Sequence, residues 1–479
     1  MTDRQRGTHR DAHPSIDHLL ESDIHALNAA IRGNTMVSFD RHPAHETGLP
    51  WAMRKRFSIT LRLPSLLLLA GLVAAAWSVP EVSAPRFVVP PAMTAAERAP
   101  MLAAFQGNLI GLGDAPSVHA CTLAMAPDGA LLAAWFEGSR EGASDVSIRM
   151  HRYPSEFFGD WGAGGGAKPL ADAPKETGVD MWQALTRERL QTLTSRSIRK
   201  LGNPLLWFDA AGRLHLSVVS VSLGGWSGSA INQLVSDDGG KTWVDARRMI
   251  LTPFLNLGSM VRTQPQVLQD GSIGLPAYHE FVQKWGQWIR MTPSGTVLHS
   301  APMLRYEGGA LQPAVVAISP TDAVAALRTG GRPPRKVSWS ATSDAGESWP
   351  LRPDNATRDI PNPDSSVAMI RLQDGSLLMA CNPTEQGRNR LQLFRSLDDG
   401  TTWKPSRTIA ASADSSREFS YPALVQARSG LIHLGYTYQR KAICLCTFSP
   451  EWLAIEHDDA PAMEHDAAKV PAPAGEATP

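Results

Sequence analysis

Three octapeptides share one pattern, S/T-x-D-x-G-x-[ST]-W, and they constrain the fold more than any other feature. They are Ser236-Asp-Asp-Gly-Gly-Lys-Thr-Trp243, Thr342-Ser-Asp-Ala-Gly-Glu-Ser-Trp349 and Ser396-Leu-Asp-Asp-Gly-Thr-Thr-Trp403. The tryptophans lie 106 and 54 residues apart, so the first gap is about twice the second and predicts a degenerate copy near 296. Thr292-Pro-Ser-Gly-Thr-Val occupies that place. An Asp in such a turn caps backbone N–H groups, and the Trp supplies buried area. The boxes are therefore read as structural, and they explain part of an excess of 14 Trp over 6 Tyr.

A second series of turn signals interleaves with the first. It consists of Pro127-Asp-Gly129, Ala210-Ala-Gly212, Gln269-Asp-Gly271, Pro320-Thr-Asp322, Gln373-Asp-Gly375 and Arg428-Ser-Gly430. β-rich runs come after them at 131–136, 214–221, 272–278, 323–327, 377–381 and 431–436. The intervals are 83, 59, 51, 53 and 55 residues. The long first interval is read as an insertion over 162–201, with a short helix within 180–200 carrying Trp182, Leu185, Leu190 and Leu193. A fixed period of this size marks a repeat architecture. Six four-stranded units closing in a ring leave few exposed edges. The expected fold is all-β, a six-bladed β-propeller over 108–455, preceded by one N-terminal hydrophobic helix.

Residues 1–52 are polar and without period. Met53-Arg-Lys-Arg precedes 17 uncharged residues from Leu63 to Val79. A basic flank before such a run marks membrane insertion, although 17 residues is the short limit for a span. Two readings stand. Residues 63–79 anchor the chain in a membrane, or Met53 is the start and 53–84 is a cleaved signal peptide. Both export residues 86–479, to the periplasm or the extracellular space. Residues 456–479 read as a flexible tail. The four cysteines, Cys121, Cys381, Cys444 and Cys446, are read as buried thiols, with a disulfide left open by an oxidising compartment.

Lys plus Arg and Asp plus Glu both number 46. That balance excludes a basic nucleic-acid surface, and 43% hydrophobic residues exclude disorder. The sequence carries no metal-ligand spacing, phosphate loop or nucleotide fingerprint, so no cofactor is expected.

Beyond the boxes, the chain resembles the sialidase superfamily over about 110–450, in the order and spacing of particular residues. His119-Ala-Cys-Thr-Leu followed by Ala133-Ala-Trp-Phe-Glu-Gly-Ser-Arg140-Glu-Gly-Ala-Ser-Asp145 resembles that family's opening blade. The resemblance implies Asp145 as general acid/base and places Arg140 beside it. His119 stands where the family has its first carboxylate-binding Arg. Gln312 and Arg328 stand where the family has a Glu and its second Arg. Arg388, with Arg390 as an alternative, resembles the third Arg. Glu418-Phe-Ser-Tyr421-Pro-Ala-Leu-Val resembles the segment of the nucleophilic Tyr.

The chemistry explains the residue types. A sialic acid bears its carboxylate on the anomeric carbon and would repel a carboxylate nucleophile, so a neutral Tyr serves. The phenol needs an activating base. Arginines hold the substrate carboxylate by charge-assisted bonds, and an Asp protonates the departing oxygen. Gln312 cannot accept a proton, so Glu418, Glu307 and Glu280 stand as alternative bases. Glu141, next to Arg140, is left out because adjacent residues in an extended segment point apart. Two or more arginines are expected at the mouth, with their balancing carboxylates elsewhere.

Each residue also has a structural reading. Asp145 could cap a turn, the arginines could form surface ion pairs, and Tyr421, His119 and His279 could be core residues. The resemblance implies an exo-glycoside hydrolase acting on terminal sialic acid or another acidic sugar of a glycoconjugate. The alternatives are a non-catalytic carbohydrate-binding or envelope-assembly propeller, and a glycosidase or lyase using His119.

Overall fold

The computed structural model describes residues 84–111, 115–159, 161, 179–251, 258–281, 283–305, 309–331, 333–352 and 357–454. The 63–79 segment, the 1–52 segment and the 456–479 tail lie outside them. Among the described residues no helix is long and apolar enough to cross a membrane.

The described strands form six antiparallel sheets, the blades of a propeller. Their inner strands are Ser117–Met125, Lys200–Phe208, Ser259–Val261 with Gln266–Val267, Leu311–Ala317, Ala368–Arg371 and Phe419–Gln426. Blade six is closed by the N-terminal strand Phe105–Ile110, which pairs with Ala442–Phe448 from Phe105↔Phe448 to Ile110↔Ile443. Joining the two ends of the domain in one sheet removes a free edge.

All six turn signals sit between the first and second strands of their blades. The β-rich runs are the second strands, Leu131–Gly138, Leu214–Val221, Ile273–Glu280, Ala323–Arg328, Leu377–Cys381 and Ile432–Tyr438. The boxes come after the third strands. In each complete box one carboxylate takes three bonds: Asp398 accepts from Thr402 N (2.8 Å), Thr402 Oγ1 (2.7 Å) and Ser396 Oγ (2.8 Å). The degenerate copy makes the same kind of turn, with Thr296 N donating to Thr292 Oγ1 at 3.1 Å. The box tryptophans are buried and reach the preceding blade. Trp349 packs on Trp288 at 5.3 Å between ring centres and Trp403 on Trp339 at 5.5 Å.

The insertion differs from its expected form. Asp180–Leu185 is the outer strand of blade one, pairing with Ser147–Tyr153, and the helix is confined to Arg187–Thr194. Thr186 caps that helix by accepting from Arg189 N. The open edge of blade one takes Trp182 into the strand, where Trp182 Nε1 also donates to Gly240 O at 2.7 Å. Tertiary pairing thus overrides the apolar spacing. All four cysteines are buried free thiols.

The inner strands carry a repeated irregularity at the end where they begin. Pairing slips between His119 and Thr122, Gly202 and Leu205, Leu311 and Ala314, and Ser420 and Ala423. Each bulge holds one left-handed residue: Ala120 (φ 60°), Asn203 (φ 40°), Gln312 (φ 50°) and Tyr421 (φ 55°). Bulges re-aim side chains, and left-handed backbone is rare outside glycine. Four blades spend local strain in the same place, which marks this end of the ring.

Candidate active site

Tyr421 is the centre of the upper end. The residue is 9% exposed. Arg328 Nη1 donates to its hydroxyl at 2.9 Å. The His119 ring lies against it, 4.3 Å between centres. The guanidinium carbons of Arg388 and Arg262 stand 5.4 and 5.2 Å from the ring centre. Four residues named from sequence, His119, Arg328, Arg388 and Tyr421, are therefore one cluster. Gln312 joins them by accepting from Arg328 Nη1 at 3.3 Å. Arg390 turns away and bonds Thr408, so Arg388 holds the mouth position.

Four further residues that no motif singles out complete the cluster. Tyr278 accepts from Gln312 Nε2 (3.1 Å) and Asn203 Nδ2 (2.9 Å). Asp364, itself left-handed at φ 61°, binds Arg328 Nη2 at 2.6 Å, and its carbonyl takes Arg388 Nη2 at 2.8 Å. Arg262, 3% exposed, donates to the carbonyls of Cys121 (2.8 Å), Tyr421 (2.7 Å) and Pro422 (3.2 Å). It clamps the bulge from beneath. A weaker signal for part of this set exists in the sequence. Asn203, Gln312 and Tyr421 each precede a proline, which disfavours the right-handed helical region for the residue before it.

The charges are compensated at the mouth itself, not elsewhere as expected. Arg388 Nη1 pairs with Glu418 (3.0 Å), and Arg440 bridges Glu418 (2.8 Å) and Glu141 (2.6 Å). Three guanidinium groups, of Arg328, Arg388 and Arg440, thus face Asp364, Glu418 and Glu141, while Arg262 meets backbone carbonyls. The extended-segment argument against Glu141 fails, because the 139–146 loop is a turn, so its side chain reaches Arg440.

These charges set the protonation states. Burial pushes His119 well below 6.5, and the guanidiniums of Arg440, Arg388, Arg262 and Arg328 push it further. It is a neutral imidazole, and among the described residues neither ring nitrogen has a hydrogen-bond partner. Burial raises Tyr278 and, taken alone, would raise Glu418. Arg440, Ser420 and Arg388 outweigh it and hold Glu418 below the usual value. Glu418 is therefore a fixed counter-ion. Of the other candidate bases, Glu280 pairs with Lys284 at 2.8 Å, and Glu307 lies outside the described residues.

Asp145 and Arg140 lie on the loop joining Leu131–Gly138 to Ser147–Tyr153, at the same end of blade one. Asp145 is exposed and accepts from Ser139 N and Oγ, both at 2.9 Å. The Ser139 N–H holds its carboxyl below the usual value. This is the turn-capping geometry. Arg140 is exposed, and among the described residues no hydrogen bond or ion pair links either side chain to the cluster around Tyr421. His279 stacks on Trp285 at 4.0 Å in blade three. Among the described residues, no group of three His, Cys, Asp or Glu side chains converges to hold a metal.

Residues 129–434 match the model of the BNR repeat-like domain. No curated protein sequence matches the chain. Solved structures share the fold at low identity. The Hadza microbial sialidase Hz136 is 16% identical, with TM-score 0.56 over 71% of this chain and 67% of that one. The NanB sialidase of Streptococcus pneumoniae is 12% identical, with TM-score 0.54 over 74% and 71%. The intramolecular trans-sialidase of Ruminococcus gnavus is 12% identical, with TM-score 0.52 over 75% and 98%. With six blades, the S/T-x-D-x-G-x-[ST]-W boxes at the expected turns and that domain match over most of the ring, the chain belongs to the BNR repeat-like family, and its fold is the one those sialidases share.

Proposed function

We propose that the protein is an exo-glycosidase of the sialidase type, cleaving a terminal acidic sugar from a glycoconjugate, with Tyr421 as nucleophile. One observation carries this reading: Tyr421 sits in a left-handed bulge, and the mostly buried Arg328 guanidinium donates to its hydroxyl. A cation at the phenol oxygen favours the phenolate that attack requires. Arg328 and Arg388 would bind the substrate carboxylate, exchanging part of their present pairing with Asp364 and Glu418 for it. Gln312, Tyr278 and His119 are neutral and would contact sugar hydroxyls. Asp145 would supply the proton to the leaving oxygen, which requires that it leave Ser139. Arg140 travels with the same loop and would follow the substrate carboxylate. The export reading of 63–79 would place this site among extracytoplasmic glycans, beside the membrane if the segment is retained.

The test is release of sugar from fluorogenic sialosides and other acidic glycosides by the full chain, with the product identified by mass. Absence of any released sugar would sink the proposal. A second reading, a propeller that binds acidic glycans without cleaving them, is favoured by one observation. The position that would hold the activating base is the amide Gln312. Glycan binding without product, unchanged in Tyr421→Phe, would establish that reading instead.

A further inference from the structure

Away from the mouth, the outer edge of blade two bounds a second cavity of about 750 Å3. Its walls are the edge strand Val244–Arg248, the C-terminal end of the helix Arg187–Thr194, and Ser294 from the degenerate box of blade three. Four arginines line it, Arg196, Arg213, Arg247 and Arg248, against one carboxylate, Asp245. Arg213 is paired with Asp209 at 2.9 Å. Arg247 Nη1 donates to a neutral hydroxyl, Thr296 Oγ1, at 2.7 Å. Burial, and then the charge of Arg196, push the Arg248 guanidinium below its ordinary value. Like charges held together over one cavity are relieved when an anion enters it.

A second observation limits what the anion can be. Gln233 lines the same cavity, is 1% exposed, and among the described residues its Oε1 has no hydrogen-bond partner. The amide cannot be turned to hide that oxygen. Its Nε2 is committed to Pro293 O at 2.6 Å and to His215 Nδ1 at 3.2 Å. The other ring nitrogen, His215 Nε2, donates to Asp209 at 2.9 Å, so Nδ1 is an acceptor and the facing group must be the amide nitrogen. An unmet buried acceptor asks for a donor. A bare sulfate dianion has none. A sugar acid has both parts, a carboxylate for the guanidiniums and hydroxyls for Gln233.

We infer that this cavity is a binding subsite for a carboxylated sugar unit of an anionic polysaccharide, separate from the Tyr421 mouth. It does not rest on any chemistry at the mouth. In an extended acidic glycan it would hold a unit remote from the one being processed.

The experiment is titration calorimetry of the full chain with trigalacturonate, maltotriose and sodium sulfate in parallel. Trigalacturonate is expected to bind, maltotriose not to bind, and sulfate to bind at least tenfold more weakly than trigalacturonate. Arg196→Gln and Arg247→Gln, both exposed, should each weaken trigalacturonate on the order of tenfold with an unchanged melting temperature. Added salt should weaken it too. Any turnover at the mouth should survive both variants, so a failure of the glycosidase reading leaves this test intact. The inference is overturned if trigalacturonate does not bind, if the arginine variants bind it as the parent does, or if maltotriose or sulfate matches its affinity.

Discussion

Arg328 Nη1 donates to the Tyr421 hydroxyl at 2.9 Å, although the two residues are 93 positions apart and on blades four and six. The same guanidinium holds Asp364 at 2.6 Å. Burial works against its charge, but Tyr421 and Asp364 outweigh it and raise its pKa above the ordinary value. The arginine therefore stays charged and orders both ends of the mouth.

Replacing Tyr421 by Phe removes one acceptor from a buried cation. Turnover on acidic glycosides should fall by several orders of magnitude. Stability should fall by only about 1–2 kcal/mol, because Asp364 and Gln312 still partner Arg328. Steady-state kinetics beside urea unfolding separate the two effects. Full retention of kcat would remove Tyr421 from the nucleophile role.

Two carboxylates of the 139–146 loop compete for the donor role. Asp145→Asn should lower kcat by about 10^2–10^4-fold if Asp145 is the acid. Glu141→Gln, which keeps a hydrogen-bonding group toward Arg440, should change it by less than about tenfold. A reversal of these magnitudes would move the role to Glu141. Substrates with activated leaving groups need less protonation, so they should narrow the Asp145→Asn deficit.

Arg262 clamps three carbonyls beneath Tyr421, and its charge is buried. Lys keeps the charge but not the fork. Arg262→Lys should destabilise by about 1–3 kcal/mol. It should lower kcat more than it changes KM, since the phenol and not the carboxylate clamp is displaced. An equal effect on both parameters would contradict this positioning role.

Acid should destabilise the fold through its buried histidines. Burial pushes His433 down to about 3 and His151 to about 4, and His119 is also held well below 6.5. The unfolded chain takes up these protons near 6.5 and the folded chain does not. Their contribution is complete above about 6.5 and is lost as pH falls toward the folded values. Each neutral histidine gives a slope of about 1.4 kcal/mol per pH unit in that window. Urea midpoints at pH 7, 6 and 5 should fall in order, and His433→Gln should flatten the trend. A midpoint constant from pH 7 to 5 would contradict the argument.

The box turns carry stability and no chemistry. Asp398→Ala leaves the N–H of Thr402 and the hydroxyls of Thr402 and Ser396 short of an acceptor. It should lower stability by about 1–3 kcal/mol with kcat unchanged. Thermal melting and a single activity assay check both halves.

Local sequence was sufficient for the architecture because each blade writes its turns in contiguous residues. Asp, Gly and Trp at set spacings need only their own backbone to act, so six units, their order and their second strands are legible. The same holds for Tyr421, Arg328 and Arg388, which stand in recognisable segments. The helix read into 180–200 forms only over Arg187–Thr194, because Asp180–Leu185 pairs with the edge of a neighbouring strand, a condition no local pattern records.

What only the tertiary structure decided is the company each mouth residue keeps. Tyr278, Asp364 and Arg262 become site residues because ring closure brings distant blades to one axis. Glu418 becomes a counter-ion, not a base, because Arg388 and Arg440 arrive from other segments of the chain. The state of His119 is likewise set by burial among four guanidiniums. Burial and charge–charge distance are properties of the folded ring, and the sum of charges along the chain, which is zero, carries no trace of them.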